Sequence, residues 1–353
     1  MARWKRAAIA TAFRRPDGTA PPFAETPEAA LALARTAGGA IAAWATRVPE
    51  GFAARCAAAG VPLLWVEDGF LRSVGLGVNF VTAASLGVDP LAPHYDPSRP
   101  SALETLLATQ DFDAALLARA AALRARIAAL GLTKYNLGRP APCLPPSPGR
   151  ARILVPGQVT DDASVRLGGG GMDNLALLAA VRAANPGAFI AYRPHPDVET
   201  GYRRGFVPRR AALRHADLVV ADGDIGGLYA QVEAVHTLTS LAGFEALLRG
   251  LPVTTHGQPF YAGWGLTTDL APPPRRGRAL SLDALVAGAL ILYPRYTDPV
   301  TGARCEVEAL LDRLAEPAAW PRLPLARRLY DRLWWRPQGW LLKQARRTGV
   351  WRR

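Results

Sequence analysis

The sequence predicts an α/β protein: two Rossmann-like, doubly wound units facing a cleft, with a basic, aromatic helical tail at the C-terminal end. Three observations carry this. Short apolar runs alternate with Ala- and Leu-rich helical stretches, the rhythm of βα units around a parallel sheet. The segment RPAPCLPPSPGR (139–150) holds five prolines in twelve residues and can be neither helix nor central strand, which makes it a linker. The last 32 residues (322–353) contain ten Arg or Lys against the single acid Asp331, and four of the nine tryptophans.

At 353 residues the chain is long enough for two domains of ordinary size. The expected divisions are a first unit over 1–138, the linker over 139–150, a second unit over 151–320 and the tail over 321–353. In the first unit AAIATAF (7–13), GAIAAWA (39–45) and PLLWVED (62–68) read as buried parallel strands. Helical patterns cover 26–37 and 51–59, and a long one runs on after Glu104 through LLARAAALRARIAAL. The second unit repeats the rhythm more clearly. Strands are expected at 152–157, 188–194, 217–222, 233–238 and 252–257, with helices at 174–184 and 243–249 among them.

Half of the residues are apolar and a fifth are charged, which excludes wholesale disorder. Cys56, Cys143 and Cys305 lie far apart with no CxxC spacing, so neither a disulfide framework nor a structural zinc site is expected, and a reducing compartment fits. No apolar run reaches the ~18 residues of a membrane span. The run 7–13 is followed at once by Arg14, Arg15 and Asp17 rather than by a cleavage site, so the expected location is cytoplasmic. Of the net charge of +13 the tail supplies +9, leaving +4 for the other 321 residues. Basic groups interleaved with Trp334, Trp335, Trp340 and Trp351 suit a helix lying in a membrane interface, rings at headgroup depth and Arg on anionic lipid. The alternative is a helix that packs its aromatics on the body and leaves Arg in water. No nucleic-acid partner is expected, because the body lacks a basic face and any nucleic-acid motif.

Five constellations fall at or beside expected strand ends, where doubly wound sheets bind their ligands. PGQVTDDAS (156–164) projects Gln158, Asp161 and Asp162. A carboxylate there can act as base or nucleophile, or simply cap the next helix. The glycine run 168–171 that follows lacks GK[ST] and is read as a mobile loop, not a phosphate-binding one. YRPHPDVETG (192–201) holds His195 between two prolines, suited to protonating or hydrogen-bonding a leaving phosphate. In HTLTSLAGFEALLRG (236–250) Thr239 and Ser240 open a helix, an anion site of hydroxyls and free N–H groups, and Glu245 follows within reach of a ribose diol. Plain capping is the alternative. WVEDGFLRSVGLG (65–77) sets Glu67 and Asp68 beside Arg72, as a general base or as a turn with a local ion pair. PFYAGWGLTTD (259–269) is either a loop that closes over a sugar face or one anchored by its own rings. The pairs Asp111/Asp113 and Asp222/Asp224 fall at a helix start and in a Gly-rich turn, so no metal is expected.

These strings occur in order, together with HYDPSRPSALETLL (94–107) and LILYPRY (290–296). On them the chain, from about Glu67 to Glu308, resembles the capsular polysaccharide β-Kdo transferases of the KpsC/LipB type. The resemblance implies a GT-B-like fold, CMP-Kdo as donor substrate with no further cofactor, and retention of anomeric configuration. It also implies assembly of a Kdo linker on a phosphatidylglycerol-type lipid that carries capsule chains to export. The first unit becomes the acceptor side and the second the nucleotide-sugar side. By position, the family's QxxxD motif falls on Gln158 and Asp162, making Asp162 the nucleophile. The HP motif falls on His195 and Pro196, with His195 near the CMP phosphate. Thr239 and Ser240 would bind that phosphate and Glu245 the ribose, while Glu67 and Asp68 occupy the acidic motif on the acceptor side. Arg193 stands in the donor site where the family usually has lysine, and VTAASLGVD (81–89) lacks the family's proline before its Ser-Leu strand. Relatives often carry two modules in tandem, and this chain has one.

Kdo carries a carboxylate beside its anomeric carbon, so cleavage from CMP builds oxocarbenium character next to one anion while releasing another. Retention by two displacements needs a carboxylate able to bond to that carbon, which suits Asp162, and a second acid to take the acceptor's proton. A single phosphate leaving group depends on a divalent metal less than a pyrophosphate does. The implied partners are the lipid-linked acceptor, the anionic inner face of the inner membrane, where the tail would hold the enzyme peripherally, and other capsule biosynthesis and export proteins. A GT-B enzyme with another donor, sialyltransferase-like or an epimerase, and a non-catalytic capsule assembly scaffold are the alternative readings.

Overall fold

The computed structural model describes residues 5–15, 17–77, 80–136, 138–321 and 324–347. Eleven strands form two sheets among these residues: β1 (Ile41–Trp44), β2 (Leu63–Asp68), β3 (Ser85–Asp89), β4 (Arg152–Pro156), β5 (Phe189–Arg193), β6 (Leu218–Val219), β7 (Ala234–Thr237), β8 (Val253–Thr255), β9 (Thr268–Asp269), β10 (Pro294–Thr297) and β11 (Arg304–Cys305).

The second sheet has the order β6-β5-β4-β7-β8-β9 and every pair in it is parallel. The chain winds outward from β4 to β6, returns to β7 beside β4, and winds outward again. That reversal opens a crevice beyond the carboxyl ends of β4 and β7. Leu154, Val155, Ile190, Ala191 and Val235 are fully buried, because helices cover both faces of such a sheet.

The first sheet departs from the expected winding. Its order is β1-β2-β3-β10-β11, and only β1 and β2 run parallel. No α-helix lies between β2 and β3 among the described residues. A parallel return needs a crossover, usually a helix, so β3 comes back antiparallel. β10 then pairs antiparallel with β3, Pro294 opposite Gly87. Residues 294–305, expected in the second unit, thus complete the first sheet. A further correction concerns 7–13, expected as a strand: Arg6–Ala12 is helical. A short alanine-rich run favours helix, and periodicity alone does not separate a short buried helix from a strand. Ile9 and Ala12, three apart on one helix face, are buried against Val66 and Leu86 of the sheet.

Capping explains where several helices begin. Thr26 accepts from the Ala29 N–H ahead of Pro27, and Gly38 closes that helix in the left-handed conformation. Ser101 caps Ala102–Thr109, and Asp113 caps Ala114–Ala129, dividing what the sequence reads as one long helix. These helices carry the contact between the two halves. Glu104 is buried and pairs with Arg275 at 2.9 Å and Arg276 at 3.0 Å. Arg124 reaches Asp283, and Arg119 reaches Glu306 and Glu308. A single apolar core runs through both halves, from Phe70, Leu103 and Ile127 to Leu154, Phe244, Trp264 and Leu310. The proline-rich segment 139–150 has no regular structure, yet it is packed: Leu144 is buried and its N–H donates to Gln231 Oε1.

The tail comprises Leu325–Tyr330, a π-helical turn Asp331–Trp335 and the helix Arg336–Arg347. Trp335 stacks on Tyr202 of the body, whereas Trp334 and Trp340 are 63% and 59% exposed. Trp351 lies outside the described residues. No helix among the described residues is long and apolar enough to cross a membrane.

Candidate active site

A cleft of about 610 Å³ opens between the carboxyl end of β2 on one wall and those of β4, β5 and β7 on the other. All nine residues expected at the site line it: Glu67 and Asp68 from the first wall, and Gln158, Asp162, Arg193, His195, Thr239, Ser240 and Glu245 from the second.

Gln158 joins the strand ends at the sheet's reversal. Its side-chain N–H donates to Thr239 Oγ1 at 2.9 Å and its Oε1 accepts the Thr239 N–H at 3.0 Å. Asn174 pins the Gln158 backbone on both sides, accepting its N–H and donating to its carbonyl. Asp162, four residues on, combines both readings of its sequence position. Its Oδ1 caps Ala163–Gly168, accepting the Ser164 N–H at 3.0 Å and hydroxyl at 2.8 Å. Its Oδ2 faces the Arg203 guanidinium at 3.7 Å, and Asp161 faces the same guanidinium at 3.7 Å. The side chain of Asp162 is 47% exposed, so Oδ2 is open to the cleft.

His195 caps the short helix Pro196–Glu199, its Nδ1 accepting the Asp197 N–H at 3.1 Å. That bond assigns the proton of a neutral ring to Nε2. Burial lowers the pKa, and Lys134 adds to this against the opposing pull of Asp197. His195 is thereby a neutral hydrogen-bond donor at the cleft.

The two acids of the first wall are set apart by their surroundings. Asp68 is half-buried, and against the cost of that burial Arg72, bonded at 2.8 Å, together with Lys5 and Lys134 holds it below the usual carboxylate range. Glu67 is pushed up to about 8, by burial first and then by the neighbouring charges of Asp68 and Asp162. The Tyr95 hydroxyl donates to its Oε1 at 3.4 Å. A proton shared near neutrality belongs to Glu67; Asp68 is a fixed anion.

Ser240 caps Leu241–Leu247 through the Ala242 N–H, and Thr239 meets Gln158 and Ser164. Glu245 is buried, with Oε1 accepting the Lys134 N–H at 2.7 Å and Oε2 the Tyr229 hydroxyl at 2.8 Å. Both oxygens already hold partners. Arg193 is likewise occupied: its guanidinium donates to the carbonyls of Val220, Ala221 and Gly223, bracing the turn after β6.

Sequence reasoning missed Lys134 and Arg203. Lys134 lines the cleft and makes no ion pair among the described residues, and its backbone is clamped between Glu245 and the N–H groups of Arg72 and Ser73. Its charge acts on Glu67, Asp68, His94 and His195 alike. A lone lysine in TKYNLG carries no spacing signal; only folding gathers the anions around it. Arg203 sits in a basic pair, Arg203–Arg204, that reads as surface charge.

The loop 259–269 does not close over the cleft. Tyr261 and Trp264 are fully buried, Trp264 Nε1 donates to the Phe260 carbonyl, and Asp269 ties the Gly263 N–H. Its rings are core, as the plainer reading of that loop has it. Only its start reaches the site, where Phe260 stacks on Phe70 of the facing half at 4.4 Å. The glycine run 168–171 is tied to this loop through Gly168, whose carbonyl accepts the Gln258 N–H. Asp113 and Asp224 accept local backbone N–H groups, as turn and cap residues do. No group of three His, Cys, Asp or Glu among the described residues is arranged to hold a metal ion.

Comparison with known proteins bears on this arrangement. Residues 146–301 match the family model described as capsule polysaccharide biosynthesis protein. The lipopolysaccharide-processing protein LpsZ of Rhizobium meliloti is 47% identical over 260 residues, covering 72% of this chain and 59% of LpsZ. The capsule polysaccharide modification protein LipA of Neisseria meningitidis is 48% identical over 242 residues, covering 68% of this chain and 34% of LipA. The chain thus spans about three fifths of one curated relative and a third of the other. Among solved structures, the β-Kdo 2,7 transferase of Thermosulfurimonas dismutans KpsC superposes with a TM-score of 0.73 at 34% identity, covering 89% of this chain and 96% of that one. A chain that shares both the cleft-forming fold and a third of its residues along nearly the whole of that transferase belongs to the KpsC-type capsule Kdo transferase family.

Proposed function

We propose that the protein is a retaining β-Kdo glycosyltransferase of GT-B-like arrangement that uses CMP-Kdo to extend a Kdo linker on a phosphatidylglycerol-type lipid in capsule assembly. The observation that carries the reading is the convergence, in one cleft, of an open carboxylate oxygen on Asp162, a neutral donor on His195 and a proton-holding acid on Glu67. Both charges of the donor have counterparts. Lys134 and Arg203 supply cations, and His195 Nε2–H with the hydroxyls of Thr239 and Ser240 receives the phosphate.

In the first step Asp162 Oδ2 attacks the anomeric carbon as the bond to the CMP phosphate breaks, and CMP leaves with the bonding electrons. Arg203, facing both Asp161 and Asp162, shields the nucleophile from its acidic neighbour. In the second step the acceptor hydroxyl attacks the same carbon, its proton passes to Glu67, and Asp162 is released as carboxylate, so the configuration is retained overall. The charge of Asp162 is one of the causes that raise Glu67. Bonding Asp162 to the sugar removes that charge and lowers the pKa of Glu67, so ionised Glu67 is favoured in the step that needs a base.

The exposed face of the tail, Leu333, Trp334, Trp340 and Leu341 set among basic residues, suits the anionic inner surface of the inner membrane, where a lipid acceptor would lie. The deciding experiment supplies CMP-Kdo, generated in situ, and a synthetic lipid-linked Kdo acceptor, and reads products by mass spectrometry. A product one Kdo heavier with wild type and absent with Asp162→Asn is expected. Folded wild type that transfers nothing from CMP-Kdo, but turns over another CMP- or UDP-activated sugar, would replace the donor in this reading. Folded wild type inert toward all of them would leave the scaffold.

A further inference from the structure

The tail has a second, inward face. The rings of Trp335 and Tyr202 stack at 3.9 Å and 11°, and the Tyr202 hydroxyl donates to the Trp335 carbonyl. One turn on, Gly339 meets Gly201 backbone to backbone. A Cβ on Gly201 (φ +88°) would overlap the Gly339 carbonyl oxygen, and one on Gly339 would overlap the Thr200 carbonyl. Lys343 pairs with Glu199. The three contacts fall within residues 199–202, inside the 196–204 segment that follows the His195 cap. Its far end is held from the other side, since the Thr160 N–H in the turn after β4 donates to the Arg204 carbonyl, and Asn174, which pins Gln158 of that turn, donates to the carbonyl of Gly205. The segment is therefore sandwiched between the tail and the turn that bears Asp161 and Asp162. The tail also reaches the loop between β2 and β3, where Phe80 packs against Trp335 at 5.4 Å and lies under Arg327 at 4.7 Å.

We propose that the inner face of the tail is a positioning element of the active site: Trp335 and Gly339 hold the 196–204 segment so that Arg203 stays opposite Asp161 and Asp162. The catalytic consequence rests on the glycosyl-transfer reading above. Because Trp334 and Trp340 point away from this contact, one helix can touch a lipid surface on one side and set the geometry of the cleft on the other, linking membrane seating to donor binding.

The test uses the full chain and two readouts. In hydrogen exchange, Trp335→Ala is expected to speed exchange of the 196–204 amides about tenfold by removing the ring stack. Gly339→Ala, which wedges a methyl into the same contact, acts in the same direction, and Trp335→Phe restores protection. The double variant Trp334→Ala/Trp340→Ala leaves these amides protected while losing vesicle binding. In kinetics with a water-soluble Kdo acceptor, Trp335→Ala is expected to raise the donor KM about tenfold with a smaller change in kcat. An anchoring role alone would leave turnover of a soluble acceptor unmoved. Unchanged exchange in both Trp335→Ala and Gly339→Ala overturns the proposal, as does faster exchange with an unaltered donor KM. Absence of any transfer by wild type defeats the reaction assignment instead, and the exchange measurement, which needs no substrate, still decides whether the tail holds the segment.

Discussion

At Asp162 the two carboxylate oxygens face different tasks, one capping a helix and one open toward Arg203. Substitutions separate them. Asn caps about as well as Asp, so Asp162→Asn should fold with a nearly unchanged Tm while transfer falls roughly a thousandfold or more, measured in the product assay. Asp162→Ala loses the cap as well, an added cost of about 1 kcal/mol in urea denaturation. His195→Gln keeps an N–H donor and should retain more activity than His195→Ala, for which a loss of about 10²–10³ in kcat is expected. Glu67 gives a pH signature. Its pKa is raised from 4.5 to about 8 on folding, so the folded chain holds the proton more tightly than the unfolded one. The associated stability is present below pH 4.5 and lost as the pH rises to about 8. Glu67→Gln should therefore match wild-type Tm at pH 4 and exceed it at pH 9. Wild-type transfer should climb with pH to a midpoint below that pKa, because Asp162 carries no charge while Glu67 acts as base, and the variant should lack the rise.

Between elements, a few buried polar groups hold the frame on which these side chains sit. Gln158 spans the ends of β4 and β7, and Glu104 spans the two halves through Arg275 and Arg276. Arg276 and Glu104 are 3% and 8% exposed, so removing the carboxylate strands a buried guanidinium that keeps the Pro259 and Ala262 carbonyls as its acceptors among the described residues. Glu104→Ala is expected to cost about 3 kcal/mol, read as a lowered urea midpoint with unchanged slope. The sequence points to Ser240 as a cap and places Asp113 at a helix start, because a cap is a local device whose donor lies two or three residues away. Sequence reasoning misassigned 7–13 because a short apolar segment looks alike as helix or strand until a neighbour is present.

At the scale of the whole molecule, the tail presents an exposed aromatic face. Its exposed Trp334, Trp340 and Leu341 are expected to bind vesicles containing phosphatidylglycerol and not neutral ones, with binding weakened at high salt. Trp334→Ala/Trp340→Ala should abolish cosedimentation, and wild type that binds both vesicle types equally would refute the electrostatic part. The aromatic tail of the sequence admits two fates, insertion in an interface or packing on the body. The structure shows the packing for one face, with Trp335 on Tyr202, and leaves Trp334 exposed on the other.

By itself the sequence determined the alternation of strands and helices, the proline-rich break, the caps and the placement of motifs at strand carboxyl ends. All of these are set by neighbours within a few residues or by period. Tertiary structure alone decided that β10 and β11 return to the first sheet, that most of that sheet runs antiparallel, and that the loop at 259–269 is core. It also decided that Lys134 and Arg203 stand among the acids. Strand partners and ion-pair partners are chosen across tens to hundreds of residues by which apolar faces must be covered, and no local pattern encodes that choice.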